Sequence, residues 1–490
     1  MSDCDGMMSS AIIYIYIKTI GGNKITPLFH IAKAHGLSRN SDEDMVLQVI
    51  ESNSTLLIAP DSTSNDYIEC EILANHGIDT IVCDHHEIEF ENNAAIVVNH
   101  HLRNDLNHDL SGTGVTYKLI QAHAEKYKKE FSSYIDSFQP FVAISLISDI
   151  CNMASIENRL FVKNGIEKIV NKKCNQMLIA MSEKFNRRGM NQIGFAWGVI
   201  PPINALCRCG EQEDKENFFY SLVGKAPIES GLQILSEVHD KQSKLTRQAF
   251  SEVEKTIDHS HAVSIGFADS RYKAIIGLAA NKFLTATGKP TIILRENDKN
   301  TWSGSLRSPI DIAKQINESG LASCMGHQSA AGILLDKSNL DALISWFDNQ
   351  PLDTEPTQTV AGILSPSDIE ISLCDACESY TELWSGSEQG GLPQPKFYIE
   401  FESNPSMIEV YANRTKTVKF KFSNCNIMKF RAKTEDVDNL LSGICKIKAT
   451  VTLSSNEWNG IITPQAIIEE YSIEPVEQQS EEFSWEDLFK

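Results

Sequence analysis

The chain has 490 residues, 42% of them hydrophobic, with 44 basic and 65 acidic side chains that leave a formal net charge of −21. That length exceeds what one hydrophobic core organises and implies about three domains, while the negative balance argues against nonspecific attraction to nucleic acid. No apolar run approaches the roughly 20 residues of a membrane span and no signal peptide precedes Asp3, so a cytoplasmic monomer without membrane association is expected.

Asp3 and Asp5, one residue apart beside Gly6 in MSDCDGMMSS, look like the end of a catalytic strand with only two residues in front of it. Three apolar runs then end in polar side chains: TLLIAP at Asp61, DTIVC at Asp84 and AAIVV at Asn99. This rhythm predicts a parallel α/β sheet. After Gly112 and Gly114, VTYKLIQAHAEKYKKEF has helical periodicity, and FVAISLISDI predicts a buried helix with Asp149 at its end. Helices of the EKIVNKK and FFYSLVG type follow. From Pro227 to about Asp258, Leu232, Leu235, Val238, Leu245, Phe250 and Val253 recur at helical spacing and predict a long connecting helix. HAVSIGF, AIIGLAANKFL, PTIIL and AAGILL predict strand, helix, strand and strand, and a polar linker runs from Asn349 to Thr359. KFYIEF, MIEVYA, VKFKF, CKIKATVTL and AIIEEYSI, between Lys396 and about Ser472, predict the short strands of a small barrel.

The carboxylates and imidazoles Asp3, Asp5, Asp61, Asp84, His85, His86 and Asp149 all fall at element ends. In an open α/β sheet ligands gather at the carboxyl ends of the strands, so these groups are expected to converge. Hard carboxylate oxygens with a few imidazoles suit Mn²⁺ or Mg²⁺, and two such ions sharing a carboxylate clamp the attacking and leaving oxygens of a phosphate. One Asp at a strand end is ordinarily a turn or cap residue; the ordered set is what carries the reading. A four-thiolate zinc site from Cys207, Cys209, Cys374 and Cys377 is the weaker alternative to simple packed thiols, because C-x-C is not the usual knuckle. The stretch from Asn413 to Lys433 holds seven Lys or Arg and no acid, with Phe420, Phe422 and Phe430 between them. Its basic side chains suit nucleic-acid phosphates; alternation in VKFKF puts Phe420 and Phe422 on one face, where both could be core.

VCDHHE supplies the Asp-His-His signature of the DHH phosphoesterase superfamily, and the chain resembles the RecJ-type single-strand-specific 5′ to 3′ exonucleases. DCDGMMSS, SGTGVTYKL, SLISDICNM, ENRLFVKNGIEKI, PPINALCRCGE, RYKAIIGLAANKF, SGSLRS, GHQSAAG and LSSNEWNGIITPQAII resemble blocks of that family in its order. The resemblance implies a DHH parallel-sheet catalytic domain over 1–225 and a connecting helix over 226–258, then a DHH-associated α/β domain over 259–348. A linker and helical segment over 349–395, an oligonucleotide-binding (OB) barrel over 396–473 and an acidic aromatic tail over 474–490 complete the expected order. It implies that Asp3 and Asp61 help hold one Mn²⁺ or Mg²⁺ ion and that Asp5, Asp61, His85 and Asp149 hold the second. His86 would contact the scissile phosphate, with Asp84 orienting the histidines; Arg208, Ser305, Arg307 and His327 would hold phosphates near the 5′ end. Lys419 and Lys421 would follow single-stranded DNA downstream. An interdomain salt bridge is the competing role for Arg208 and Arg307, and a phosphodiesterase of very short or cyclic oligonucleotides or a non-catalytic replication scaffold are the competing functions.

Two terminal expectations complete the reading. A further acidic ligand of the family falls at Met1 here, so a natural start upstream of Met1 is expected in preference to a weaker site completed by water or the terminal amine. In the tail SEEFSWEDLFK, Phe483, Trp485, Leu488 and Phe489 lie among acids, which suits either a protein partner or packing onto the barrel.

Overall fold

The computed structural model describes residues 3–29, 36–37, 44–103, 107–187, 189–310, 312–327, 329–350, 360–380, 394–412, 416–458 and 460–476. The chain forms two compact units, Met1–Pro356 and Thr357–Lys490. The tail aromatics and most of the linker after Asn349 lie outside the described residues.

In the first unit a parallel sheet has the order β1-β2-β3, with β1 Leu56–Pro60, β2 Asp79–Cys83 and β3 Ile96–Val98. Ile58 faces Ile81, which faces Ile96. The helix Cys4–Thr19 is apolar on nearly every side and is buried accordingly: Cys4, Met7, Met8, Ala11, Ile12, Tyr14 and Tyr16 all lie in the core. Helices Gly112–Tyr127, Gln139–Ser148, Ile200–Cys209 and Gln212–Leu222 pack around it. Its start corrects one expectation. Asp3 and Asp5 open a helix rather than close a strand, because the Asp3 carboxylate caps it, accepting the Gly6 N–H at 3.0 Å.

The connecting helix spans Ile228–Val253 and stops short of Asp258, whose backbone instead bridges to Ile265. Beyond it a five-stranded sheet runs β4-β5-β6-β8-β7, with β4 Ser264–Phe267, β5 Thr291–Glu296, β6 Thr301–Arg307, β7 Ser323–His327 and β8 Ala330–Asp336. β6 and β7 escape a search for apolar runs. TWSGSLR has no continuous apolar run, its large apolar residues Trp302 and Leu306 being separated by Ser303, Gly304 and Ser305; Gly304 is needed because a Cβ there would stand 2.2 Å from the Ile293 carbonyl oxygen of β5.

The second unit holds one sheet in the order β11-β12-β13-β15-β14-β10-β9. Its strands are β9 Gly362–Leu364, β10 Lys396–Ser403, β11 Ile408–Ala412, β12 Lys416–Lys421, β13 Asn426–Ala432, β14 Cys445–Trp458 and β15 Ile461–Pro475. β10 and β11 are halves of one strand broken by the turn Pro405–Met407; the first half pairs with β14 and the second with β12. With β13 parallel to β15, this is the connectivity of an OB-type barrel, left partly open because no ladder continues through the turn. Phe420 is buried with Phe397, Ile399 and Phe401, and Phe422 packs on the same cluster, so both belong to the core; Phe430 is exposed.

All twelve cysteines are free thiols. Cys207 packs in the first unit's core, while Cys374 and Cys377 pack in the second's, so they serve as small apolar side chains. Among the described residues no helix is long and apolar enough to cross a membrane.

Candidate active site

The carboxyl ends of the three parallel strands carry the site. Asp61 follows β1 directly and donates its backbone N–H to the Cys83 carbonyl at 2.7 Å; Asp84 follows β2 and donates to Val98 at 3.0 Å. Asn99 follows β3, and its side-chain amide reaches Ser64 Oγ at 3.0 Å and the His86 carbonyl at 2.9 Å. Asp61 has φ 59°, a left-handed conformation that few residues but Gly, Asn and Asp adopt readily. The sharp turn aims its carboxylate inward. Gly112 is the complementary requirement, since a Cβ there would lie 2.4 Å from Asp61 Oδ1 and 2.9 Å from its Cα.

Asp5 is held from several directions. It accepts from the backbone N–H groups of Gly112 at 2.7 Å and Thr113 at 2.8 Å, from the Thr113 hydroxyl at 2.5 Å, and from the Ser145 hydroxyl. Gly112 and Thr113 open the helix Gly112–Tyr127, whose N-terminal dipole favours an anion at that point. Asp149 caps the end of Gln139–Ser148. His85 Nε2 stands in the middle of the acids, 3.3 Å from Asp61 Oδ1, 3.6 Å from Asp149 Oδ2 and 3.8 Å from Asp5 Oδ2.

Two ligand sets therefore converge: Asp61 with His85 and His86, and Asp5 with His85 and Asp149, the donor atoms of each lying within 4.8 Å of one another. Burial first, and the Asp5 charge second, push the Asp61 carboxyl well above its ordinary range. Asp149 is raised as well, by the desolvation of its inner face in the crowded cluster and then by Asp5, although its side chain is 36% exposed at the rim. Asp61 Oδ1 is buried without a hydrogen-bond partner. Crowded carboxylates with an orphaned oxygen fit a divalent cation, which relieves the repulsion and satisfies that oxygen. Asp3, occupied as a helix cap, lies outside both sets.

Asp84 organises the loop around them. Its buried carboxylate accepts the N–H groups of Ser64, His85 and His86 at 3.1, 2.8 and 3.3 Å, and His86 Nδ1 at 2.7 Å. Burial opposes its ionisation, but the His86 bond and charge win and hold it well below the carboxylate range. That same hydrogen bond raises the His86 imidazole above its ordinary value.

Ser305 and Arg307 share a face of β6, two residues apart, and the Arg307 guanidinium donates to Ser305 Oγ at 2.8 Å and the Leu306 carbonyl at 2.7 Å. Gly277 makes room, since its Cβ would stand 2.6 Å from Arg307 Nη2. Burial lowers the Arg307 guanidinium and the neighbouring Arg208 cation lowers it further. Among the described residues neither arginine has an acidic partner, so the interdomain salt bridge is not what brings them together. The His327 side chain lies outside the described residues. In the second unit Lys419 and Lys421 point away from the core and both pair with Glu409, at 3.3 and 2.8 Å.

The sequence does not single out Gly112, Thr113 and Ser145 as the holders of Asp5, although the SGTG motif marks the helix start that carries the first two; Ser145 comes from the helix Gln139–Ser148. His100, His101 and His108 also went unremarked. Burial, with His101, His85 and His108 adding to it, lowers the His100 imidazole to about 4.

Residues 1–138 match the DHH family, N-terminal domain. A Bacillus subtilis protein named as an SPbeta prophage-derived single-strand DNA-specific exonuclease, YorK, is 27% identical over 98% of this chain and 87% of its own. The RecJ exonuclease of the same organism is 25% identical over 96% of this chain, which spans 60% of that protein. The crystal structure of RecJ with Mn²⁺ from Thermus thermophilus shares the fold, with TM-score 0.77 at 19% identity over 96% of this chain and 68% of that one. A RecJ structure bound to manganese aligns over 71% of this chain and 89% of its own with TM-score 0.58 at 21% identity. The acid and imidazole cluster at the strand ends thus lies within the stretch that matches the DHH N-terminal domain, and along nearly its whole length the chain is similar in sequence to YorK and RecJ and shares the RecJ fold.

Proposed function

We propose that this protein is a metal-dependent nuclease that degrades single-stranded DNA from its 5′ end, releasing 5′ mononucleotides with the aid of two divalent ions, Mn²⁺ or Mg²⁺. The observation that carries the reading is the convergence of Asp5, Asp61, His85 and Asp149 around one point. The names of the YorK and RecJ relatives support the substrate class. Asp61, Asp5, His85 and Asp149 would hold the ions, and Asp3 would join one of them only through the carboxylate oxygen that does not cap the helix; when bound, these ions supply Lewis acidity and water of lowered pKa.

The remaining work falls to the chain itself. Arg208, Arg307 and Ser305 hold the terminal phosphate, as a guanidinium fork suits it, and so fix which end of the strand enters. His86, with Nδ1 bonded to Asp84, presents Nε2 to the scissile phosphate, and its raised basicity keeps a proton there for the developing charge. His327 would join the phosphate contacts. In the second unit Lys419 and Lys421 contact phosphates downstream, exchanging Glu409 for them.

The test uses 5′- and 3′-labelled single strands, a blunt duplex and a dinucleotide, each with Mn²⁺ and with chelator. Mononucleotide release from the 5′ end of single strands, abolished by chelator and by Asp149→Asn, is the expected result. Cleavage of the dinucleotide alone would move the substrate to short oligonucleotides, and metal-independent inertness on every substrate would leave a scaffold.

A further inference from the structure

Beside the acidic cluster stand three imidazoles that the proposed reaction does not use. Asn99 caps the short turn His100–Leu102, accepting the His101 N–H at 2.9 Å, and thereby places His100 and His101 side by side. His108 completes a triangle with ring-centroid separations of 4.5 Å (His100–His101), 5.6 Å (His100–His108) and 5.5 Å (His101–His108). His100 is 4% exposed, and neither of its ring nitrogens has a hydrogen-bond partner. A buried imidazole with both nitrogens unsatisfied costs stability unless something engages one of them.

The spacing indicates what that is. Three imidazoles bound to one tetrahedral ion at nitrogen–metal distances of about 2.0–2.1 Å put their ring centroids about 5.2 Å apart. The observed triangle brackets that figure. Two of the ring pairs meet edge-on, at 68° and 62°, and the third is tilted at 49°. As placed, the three sets of nitrogens do not gather within 4.8 Å as those of the acidic cluster do, but His101 and His108 are both exposed, so rotation about their terminal torsions turns nitrogens inward at little cost.

We propose that His100, His101 and His108 form a separate site for a borderline divalent ion of the Zn²⁺ type. All-imidazole ligation selects such ions over the hard cations suited to the neighbouring carboxylates. The site lies one ring away from the acidic cluster, the His85 and His100 centroids being 6.5 Å apart. It closes the segment between β3 and the helix Gly112–Tyr127, whose first N–H groups hold Asp5.

The experiment uses the full chain without a histidine tag, stripped with chelator and then equilibrated with Co²⁺ alone as the probe. Metal per chain and the visible spectrum are measured for the parent, for His101→Asn/His108→Asn, and for Asp61→Asn/Asp149→Asn. Both histidines are exposed, so the first variant should fold, which circular dichroism checks. The expected result is one equivalent of four-coordinate Co²⁺, with its intense visible absorption, kept by the acid-site variant and lost by the histidine variant. Unchanged stoichiometry and spectrum in the histidine variant would overturn the proposal, as would loss of all Co²⁺ from the acid-site variant.

Discussion

Asp61→Asn should separate stability from metal binding. The Asp61 carboxylate is 4% exposed, repelled by Asp5, Asp3 and Asp149, and carries an oxygen that hydrogen-bonds to nothing, although His85 Nε2 lies 3.3 Å away. An unsatisfied buried group costs about 1–3 kcal/mol, more when charged. Asparagine keeps the size of the side chain, tolerates the left-handed φ of 59° and removes the charge. The substitution should therefore stabilise the metal-free chain by about 1–3 kcal/mol, which at about 2 °C per kcal/mol for a large domain raises Tm by about 2–6 °C. Thermal unfolding in chelator at pH 8, followed by near-ultraviolet circular dichroism, reads it. With Mn²⁺ the order reverses, because the parent gains from binding and the variant does not. If Asp61→Asn melts below its parent in chelator, the carboxylate is already satisfied in the metal-free fold and the repulsion argument fails.

Gly112→Ala should cost about 1–3 kcal/mol by overpacking and abolish cleavage, since the added methyl meets the Asp61 backbone; a variant with normal Tm and activity would show that the turn has room. The contribution of Asp149 to the stability of the metal-free chain should fall as pH rises from about 4, where an unfolded carboxylate ionises, to about 7, where Asp149 does in the fold; His100, held at about 4, contributes the opposite trend, so the parent is compared with the acid-site variant, in which the His100 contribution cancels. Over that window Asp149 holds its proton in the native state and loses it in the unfolded one, so at this site rising pH favours unfolding; a pH-independent Tm difference between parent and Asp61→Asn/Asp149→Asn would exclude this. Asp84→Asn should lower activity about 10- to 100-fold by releasing the histidines, and unchanged rate with an unchanged pH profile would remove Asp84 from the machinery. Arg307→Ala should raise KM for 5′-phosphorylated strands about 10- to 100-fold, as for a lost charged hydrogen bond, without rescue by lysine; equal effects on 5′-hydroxyl strands would refute the phosphate contact.

The parallel sheet was legible because each of its strands is an apolar run that stops at a polar residue, and the same stops mark the cluster: Asp61, Asp84, His85 and His86 needed only the rule that sheet ligands gather at carboxyl ends. β6 was not legible, since Ser303, Gly304 and Ser305 interrupt it between Trp302 and Leu306, and the close approach of β5 at Gly304 leaves no room for a side chain there. β13 was lost for another reason: the register shift opposite it between Lys416 and Val418 and the left-handed Arg431 break its alternation. The Asp5 cradle depends on backbone N–H groups of Gly112 and Thr113, and hydrogen bonds from the main chain leave no residue type to notice. His100 hid as the plain continuation of a strand end. Its significance lies in what surrounds its nitrogens, which no spacing reveals.

The largely buried helix Cys4–Thr19 has a consequence for biosynthesis. Its packing partners include Phe219, which meets Tyr14 edge-on at 5.6 Å. At 5–20 residues per second, a ribosome needs about 10–40 s to supply them after the helix has emerged. Throughout that interval a helix without a polar face has nothing of its own to cover it. Chaperones of the nascent chain are thus placed to bind this segment first, and translation pauses before residue 219 would lengthen the period in which it can aggregate.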